Sequence, residues 1–515
     1  MSGQDAPASA SAVDVEGLQR SFGALPRYQL AISVFLMLYC STVYAQQTIL
    51  AAFVELTPPA PNRTYDMVCD GSNGDSRCEF DPDYGETVIS EFHLICSQRS
   101  RAHLGASLFM LGGLPSMIVS STLTDRCGRK FVFVVTSALF ALVALLTPFS
   151  PSHTAYVALR TVGGFLFMSG SNACWTLLCE LSPGASRTML AVVPQLFWLL
   201  GTVVTGALGG AVSNWRLLTL YNSLPTLLFL AGFWVIPESL HWLVARGRLE
   251  EALDEIRKMS KYNAKSVDLA SCLPKTPSQA PKRPHRTLWD VCLHPTLLLY
   301  TLTSAALRFG INVIYWAVTL FSTSWASDKM FGFALAAAVE LPASLLSYAL
   351  LRIMGRRLVS ILSFTACTAS LIGILCLATG KGHPAAPSWA VTALWLVVKA
   401  SVHIALGVSN VYHAEIMPTT VRNATLGVGF LAGFLGSSVA PYFGPAVASR
   451  ERLPFAVLTA VSLACVSLSF LLPETRATAL PHDIADVAPA RSSRCRAAGA
   501  HSRHTHIIIF SVAVG

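Results

Sequence analysis

The sequence predicts an all-α membrane protein of about twelve transmembrane helices, arranged as two six-helix halves. Three observations predict it. The 515 residues are 53% hydrophobic and only 13% charged, far more apolar than a soluble chain of this length. Apolar stretches of about 20 residues recur along the chain, each long enough to cross a hydrocarbon core as a helix that satisfies its own backbone hydrogen bonds. Finally, three charged motifs occur in the same order in each half. Asp125-Arg126-Cys127-Gly128-Arg129-Lys130, Glu180-x-x-Pro183-x-x-x-Arg187 and Pro237-Glu238-Ser239 are matched by Arg352-Ile353-Met354-Gly355-Arg356-Arg357, Glu415-x-x-Pro418-x-x-x-Arg422 and Pro473-Glu474-Thr475. Steps of roughly 50 to 60 residues separate successive motifs in both halves, a period of several spans and the mark of an internal repeat. A duplicated membrane unit of this kind is most simply read as a transporter whose halves rock about a central site.

The elements follow in order. Residues 1–27 form a polar N-terminal segment without the apolar core of a cleavable signal peptide, so the first span is expected to serve as its own insertion signal. Residues 28–236 hold the first half, with spans starting near Tyr28, Ala102, Phe131, Thr154, Met189 and Arg216. Residues 237–293 are a central linker. Residues 294–472 hold the second half, with spans starting near His294, Phe331, Leu358, Pro387, Asn423 and Leu453, and residues 473–515 form a tail.

The formal charge of +9 sits in alternate short loops, at Arg126, Arg129, Lys130, Arg187, Arg356, Arg357 and Arg422, and in a basic cluster of the linker. Twelve spans put all of these on one side, and the positive-inside rule makes that side cytoplasmic, together with both termini. The basicity is therefore topological, the bilayer is the partner it implies, and no nucleic-acid partner is predicted. Plasma membrane is the expected location.

The longest segment on the opposite side, residues 55–101, is acidic and carries the sequon Asn62-Arg63-Thr64, an expected glycosylation site. Asn423-Ala424-Thr425 has the same pattern on the cytoplasmic side and should stay unmodified. Cys69, Cys78 and Cys96 allow one disulfide with one thiol left over, and the spacing does not say which two pair. In the linker, Arg248 to Lys258 reads as an amphipathic helix in which Asp254 and Lys258 stand four residues apart, a favourable pair. No phosphate-cradling G-x-x-x-x-G-K-[ST] loop is present, no metal site assembles, and no cofactor or enzymatic activity is expected.

The repeated motifs have a physical reading. Gly128 permits a tight turn between antiparallel spans, while Arg126, Arg129 and Lys130 anchor at headgroups. Asp125 can pair with a neighbouring arginine or sit at a helix N-terminus. Glu180, Arg187, Glu238, Gly355, Arg356, Glu415, Arg422 and Glu474 complete a set expected to gate the cytoplasmic face, heavier in the first half because only Asp125 has kept its acid. The plainer alternative is a ring of solvated loop charges.

These residues resemble the major facilitator superfamily, and more narrowly solute carrier family 22, the organic cation and anion transporters. The resemblance rests on the Asp125 to Lys130 turn, on Asn214-Trp215-Arg216, and on Pro237-Glu238-Ser239-x-x-Trp242-Leu243 with Gly247-Arg248-x-x-Glu251-Ala252. It continues with Lys399 sixteen positions before Glu415, Tyr412-x-Ala414-Glu415-x-x-Pro418-Thr419-x-x-Arg422-Asn423, and Ala440-Pro441-Tyr442-Phe443. It implies the major facilitator fold and transport of small organic ions by alternating access. The departures are equally specific. Arg352-Ile353 replaces an Asp-Arg pair, Leu240-His241 replaces Pro-Arg, and Phe434 stands at the eleventh-span position where the family often places a charge.

Candidate substrate contacts follow from the cost of burying charge in a bilayer, about 2.5 to 3.5 kcal/mol per residue at its centre. Arg308, near the middle of span seven, is the leading candidate for an anionic group, with a structural pair to Glu340 as the alternative. Lys399 and His403 share a face of span ten, where Lys399 either meets substrate or snorkels to the interface. Phe197, Trp198, Phe309, Tyr315 and Trp316 are candidate aromatic walls. The reading is a secondary or facilitated transporter of small organic ions, anions slightly favoured. A non-transporting receptor or scaffold on the same fold is the alternative. A sugar-type porter is a lesser one, drawn from Gly310-Ile311-Asn312-Val313-Ile314-Tyr315 but weakened by Leu307 and Arg308 where glutamines are expected.

Overall fold

The computed structural model describes residues 26–55, 86–94, 98, 101–181, 193–263, 288–320, 322, 329–377, 388–418, 420–443 and 452–476. Asn62, Cys69, Cys78, Cys96, Arg187 and the tail beyond residue 476 lie outside them.

Among the described residues, eleven helices are long and apolar enough to cross a membrane. In the first half these are Arg27–Val54, Leu104–Cys127, Arg129–Phe149, His153–Leu181, Val193–Ala211 and Trp215–Val235; in the second, Pro295–Leu320, Phe331–Ile353, Arg356–Leu377, Trp389–Ile416 and Ala424–Phe443. The shorter apolar helix Leu453–Ser469 completes a set of twelve. They are called spans one to twelve below. Each begins within a turn or so of where hydropathy places it. Their outward faces stay apolar, with Trp234 79% and Phe149 69% exposed, as lipid-facing surface requires.

Two faces of the bundle are distinguished by what they carry: a loop face, with the short helix Val88–Glu91, and a motif face, with the repeated charges. At the loop face Asn214 caps span six by accepting from the amides of Arg216 and Leu217. Trp215 Nε1–H donates to Glu91 at 2.6 Å, and Arg216 donates to both Glu91 and the carbonyl of Ser150. The Asn-Trp-Arg motif thereby fastens the short helix Val88–Glu91 to spans three and six. The Arg216 guanidinium holds the Glu91 carboxyl below the usual carboxylate range.

At the motif face the linker helix Leu249–Asn263 buries Ala252, Ile256 and Met259 and docks at the base of span one. There the Tyr28 amide donates to Asn263 Oδ1 at 3.1 Å and the Gln29 amide group meets Met259. Its exposed charges pair one turn apart as Arg257 with Asp254 and Lys258 with Glu255, both at 2.8 Å. The expected Asp254–Lys258 pair is therefore exchanged for two at i,i+3, which are neighbours on the same helical surface.

The halves meet along two seams, span two against span eleven and span five against span eight, and both are densest toward the loop face. Phe53 of span one and Phe333 of span eight meet edge to face there, 5.1 Å between centroids. Deeper in, the Phe434 ring fills the space that the bare Cα of Gly113 leaves in span two. The position where a charge was expected from the resemblance is thus an apolar wedge between the halves.

Candidate functional site

The repeated motifs build two matching turns. Between spans two and three, Gly128 has φ +101° and the Glu238 carboxylate sits where a Cβ would stand. Glu238 Oε1 accepts from the amides of Arg129 at 2.8 Å and Lys130 at 3.2 Å, satisfying donors that open a helix. Between spans eight and nine, Glu474 lies against Gly355 in the same way and accepts from the amides of Arg356 at 2.9 Å and Arg357 at 3.2 Å. A side chain on either glycine would push the capping carboxylate away. Glycine is required at both positions by that close approach, and at Gly128 also by its positive φ.

The arginine after each glycine, at the start of its span, then reaches the end of the next span. Arg129 pairs with Glu180 at 3.2 Å and with Asp125 at 3.4 Å. Arg356 grips Glu415 through both Nε and Nη2, at 3.0 and 2.9 Å, and Thr475 donates to the same carboxylate at 2.6 Å. Arg352 instead lies over the Tyr348 ring. The first half has the extra acid at Asp125, and the second adds the Thr475 hydroxyl to its carboxylate. Arg126 is exposed, and Arg422 turns back onto the carbonyl of Met417. Among the described residues every one of these ion pairs joins spans of a single half.

At mid-depth a second cluster gathers on Glu340 of span eight. Lys399 of span ten meets its Oε1 at 2.6 Å, Tyr315 of span seven donates to Oε1 at 2.8 Å, and Trp198 of span five donates to Oε2 at 2.8 Å. Lys399 also donates to Thr319 and lies 3.9 Å from the centre of the Tyr315 ring. Trp198 comes from the first half and the others from the second, so this carboxylate is shared across the seam. Tyr44 and Trp316 extend the aromatic wall to either side of Trp198, at 5.5 and 6.3 Å between centroids. His403 joins through Ser344, 2.7 Å from its Nε2.

Arg308 takes no part in this cluster. It is 5% exposed, and its guanidinium lies over the Phe430 ring of span eleven at 4.9 Å. Gly433, also of span eleven, leaves room for its stem. No described carboxylate pairs with it, and the acid considered as its partner, Glu340, is taken by Lys399.

Of the candidate residues, the structure brings Lys399, Trp198, Tyr315 and Trp316 together and sets Arg308 apart on the same span seven. Phe309 stands away from the cluster, its carbonyl against Gly436, and the Phe197 carbonyl accepts from Thr42. Sequence reasoning missed Tyr44 and the central place of Glu340. The available signal was that Glu340 is the one acid well inside the spans of the second half.

Two six-span bodies joined at two seams, with charge and aromatic residues meeting at mid-depth, define a membrane transporter of the major facilitator fold. Similarity to known proteins narrows this. The profile described as "Sugar (and other) transporter" matches residues 27–482. An organic cation transporter protein of Drosophila melanogaster is 29% identical over 412 residues, 78% of this chain and 74% of that one. Organic cation/carnitine transporter 2 of Homo sapiens is 30% identical over 429 residues, 82% of this chain and 76% of its own. The chain belongs to the sugar (and other) transporter family and, within it, to solute carrier family 22. Among solved structures, the partially occluded inward open conformation of the E. coli xylose transporter superposes with a TM-score of 0.64 at 16% identity, covering 88% of this chain and all of that one. That likeness speaks for the fold alone.

Proposed function

We propose that the protein carries small organic anions across the plasma membrane by alternating access, as a facilitated or secondary transporter with its motif face and both termini cytoplasmic. The observation that carries the anion preference is Arg308. A buried guanidinium with no carboxylate partner among the described residues keeps its charge for a ligand, whereas the charge of Lys399 is matched by Glu340. Stacking on Phe430 holds the guanidinium plane in place. With Glu340 so matched, no free acid among the described residues remains beside Lys399 to favour a cation.

Purified protein in liposomes should take up members of an aromatic and aliphatic carboxylate or sulfonate panel, and Arg308→Gln should lower that uptake at least about tenfold while leaving the fold intact. Uptake of cations alone, or of anions unchanged by Arg308→Gln, refutes the preference. Failure to move either panel, while another family 22 member does so in the same vesicles, favours the receptor reading. Labelled hexose uptake tests the sugar-type alternative. Glycosylation at Asn62 belongs to the same topology: glycosidase treatment should sharpen the protein's band, and Asn62→Gln should remove that shift.

A further inference from the structure

Span one ends on a carboxylate that none of the groups above uses. Glu55 closes the helical turn Ala51–Val54, donating its amide to the Ala51 carbonyl at 3.0 Å, and it is 3% exposed. Its Oε1 accepts from the Tyr156 hydroxyl of span four at 3.0 Å, and it presses against the bare Cα of Gly105 in span two. Oε2 has no hydrogen-bond partner. The titratable and charged groups facing it are few. His103, at the head of span two, brings Nδ1 to 3.9 Å from Oε2. Span four presents Tyr156 and, a turn deeper, Arg160, whose guanidinium is spent on the Gln47 carbonyl and the Phe109 ring. His153 stacks on the far side of Tyr156. Glu91, from the neighbouring short helix, is occupied by Trp215 and Arg216.

The turn that carries Glu55 also carries Phe53, whose ring closes on Phe333 of the second half. The buried carboxylate and the loop-face contact between halves are therefore two sides of one helical turn. We propose that Glu55 is a proton-binding site whose occupancy favours the closed loop face, so that the carboxylate takes up a proton from loop-face water when the halves close there and returns it when they part. With the loop face closed the acid is held out of water with one oxygen unsatisfied, and the neutral form is the one that tolerates this. Burial pushes the Glu55 carboxyl up to about 7, against the lowering pull of Arg160, the Tyr156 hydroxyl and the Ala106 amide.

The sign follows from linkage. The closed state binds the proton more tightly than an open state in which Glu55 has an ordinary carboxylate value near 4.5, so acid favours closure. The closed-to-open ratio should fall by up to tenfold per pH unit as pH rises from about 5 to about 7, and level off above. The proposal rests on the transport reading only for its consequence in flux.

Hydrogen–deuterium exchange of the full-length protein in nanodiscs, without substrate, tests it at the Ala51–Val54 and Lys329–Ala338 segments from pH 5 to 8. Exchange rates divided by the intrinsic amide rate at each pH should rise in wild type in both segments toward pH 7. Glu55→Gln, which keeps the Tyr156 contact but cannot ionise, should stay protected throughout. Tyr156→Phe removes a donor to the ionised form and should move the midpoint to higher pH. His103→Asn should retain the wild-type profile. A profile without pH dependence in wild type, dependence retained in Glu55→Gln, or dependence abolished by His103→Asn overturns the proposal. Because no substrate is present, failure here is distinct from failure to transport.

Discussion

Lys399 and Arg308 are two buried cations of the same half, and they are treated in opposite ways. Lys399 is met by a carboxylate at 2.6 Å, a tyrosine ring at 3.9 Å and a threonine hydroxyl. Arg308 has a phenylalanine ring and a glycine-lined slot. Burial alone does not distinguish a structural charge from one kept for a ligand. The partner does, and the partner depends on which way each helix is turned.

The largest expected effect tests the matched side of that contrast. Glu340→Gln leaves Lys399 buried and uncompensated, which should cost about 3 to 5 kcal/mol of stability, read as a loss in thermal or denaturant unfolding of the detergent-purified protein. Adding Lys399→Met should recover most of it, because the orphaned charge is then gone. If the single variant is as stable as wild type, Lys399 is not structurally paired and the contrast collapses.

Arg308→Gln tests the other side. Stability should hold, since no ion pair is broken, while anion uptake falls about tenfold to a hundredfold, the worth of a charged hydrogen bond of about 1.5 to 3 kcal/mol. A stability loss as large as that of Glu340→Gln would mean Arg308 has a structural partner after all.

Smaller effects belong to the motif face. Glu474→Ala and Glu238→Ala each uncap a span and should cost about 0.5 to 2 kcal/mol in the same unfolding assay. Similar values in both halves would match their similar geometry. Arg352→Asp would recreate the Asp125–Arg129 arrangement beside Arg356, and should change stability by less than about 0.5 kcal/mol, since Arg356 is already held by Glu415.

Much of this architecture is legible in the sequence because hydropathy fixes where a helix enters and leaves a membrane. Duplicated motifs likewise mark equivalent turns. Arg308, Lys399, Trp198, Tyr315 and Trp316 could be named because charge and aromatic rings at membrane depth stand out. Pairing was not legible. Glu340 is close enough in sequence pattern to serve either cation, and only the rotation of spans seven, eight and ten assigns it to Lys399. Gly128 reads as a turn residue, whereas the carboxylates arriving beside it and beside Gly355 from Glu238 and Glu474, over a hundred residues away, require three-dimensional closure. Phe434 illustrates the same limit, because its contact with Gly113 joins segments that no local pattern connects.

The capped glycine turns also have a mechanical consequence. Each gathers the start of one helix, the end of the next and the tail of the half at a single point, so that pushing on any one of them loads the other two. A half tied in this way turns as one lever, about 40 Å long for a 29-residue helix such as His153–Leu181. Small displacements where Phe53 meets Phe333 then reach the far face at full length, with little lost to bending along the way.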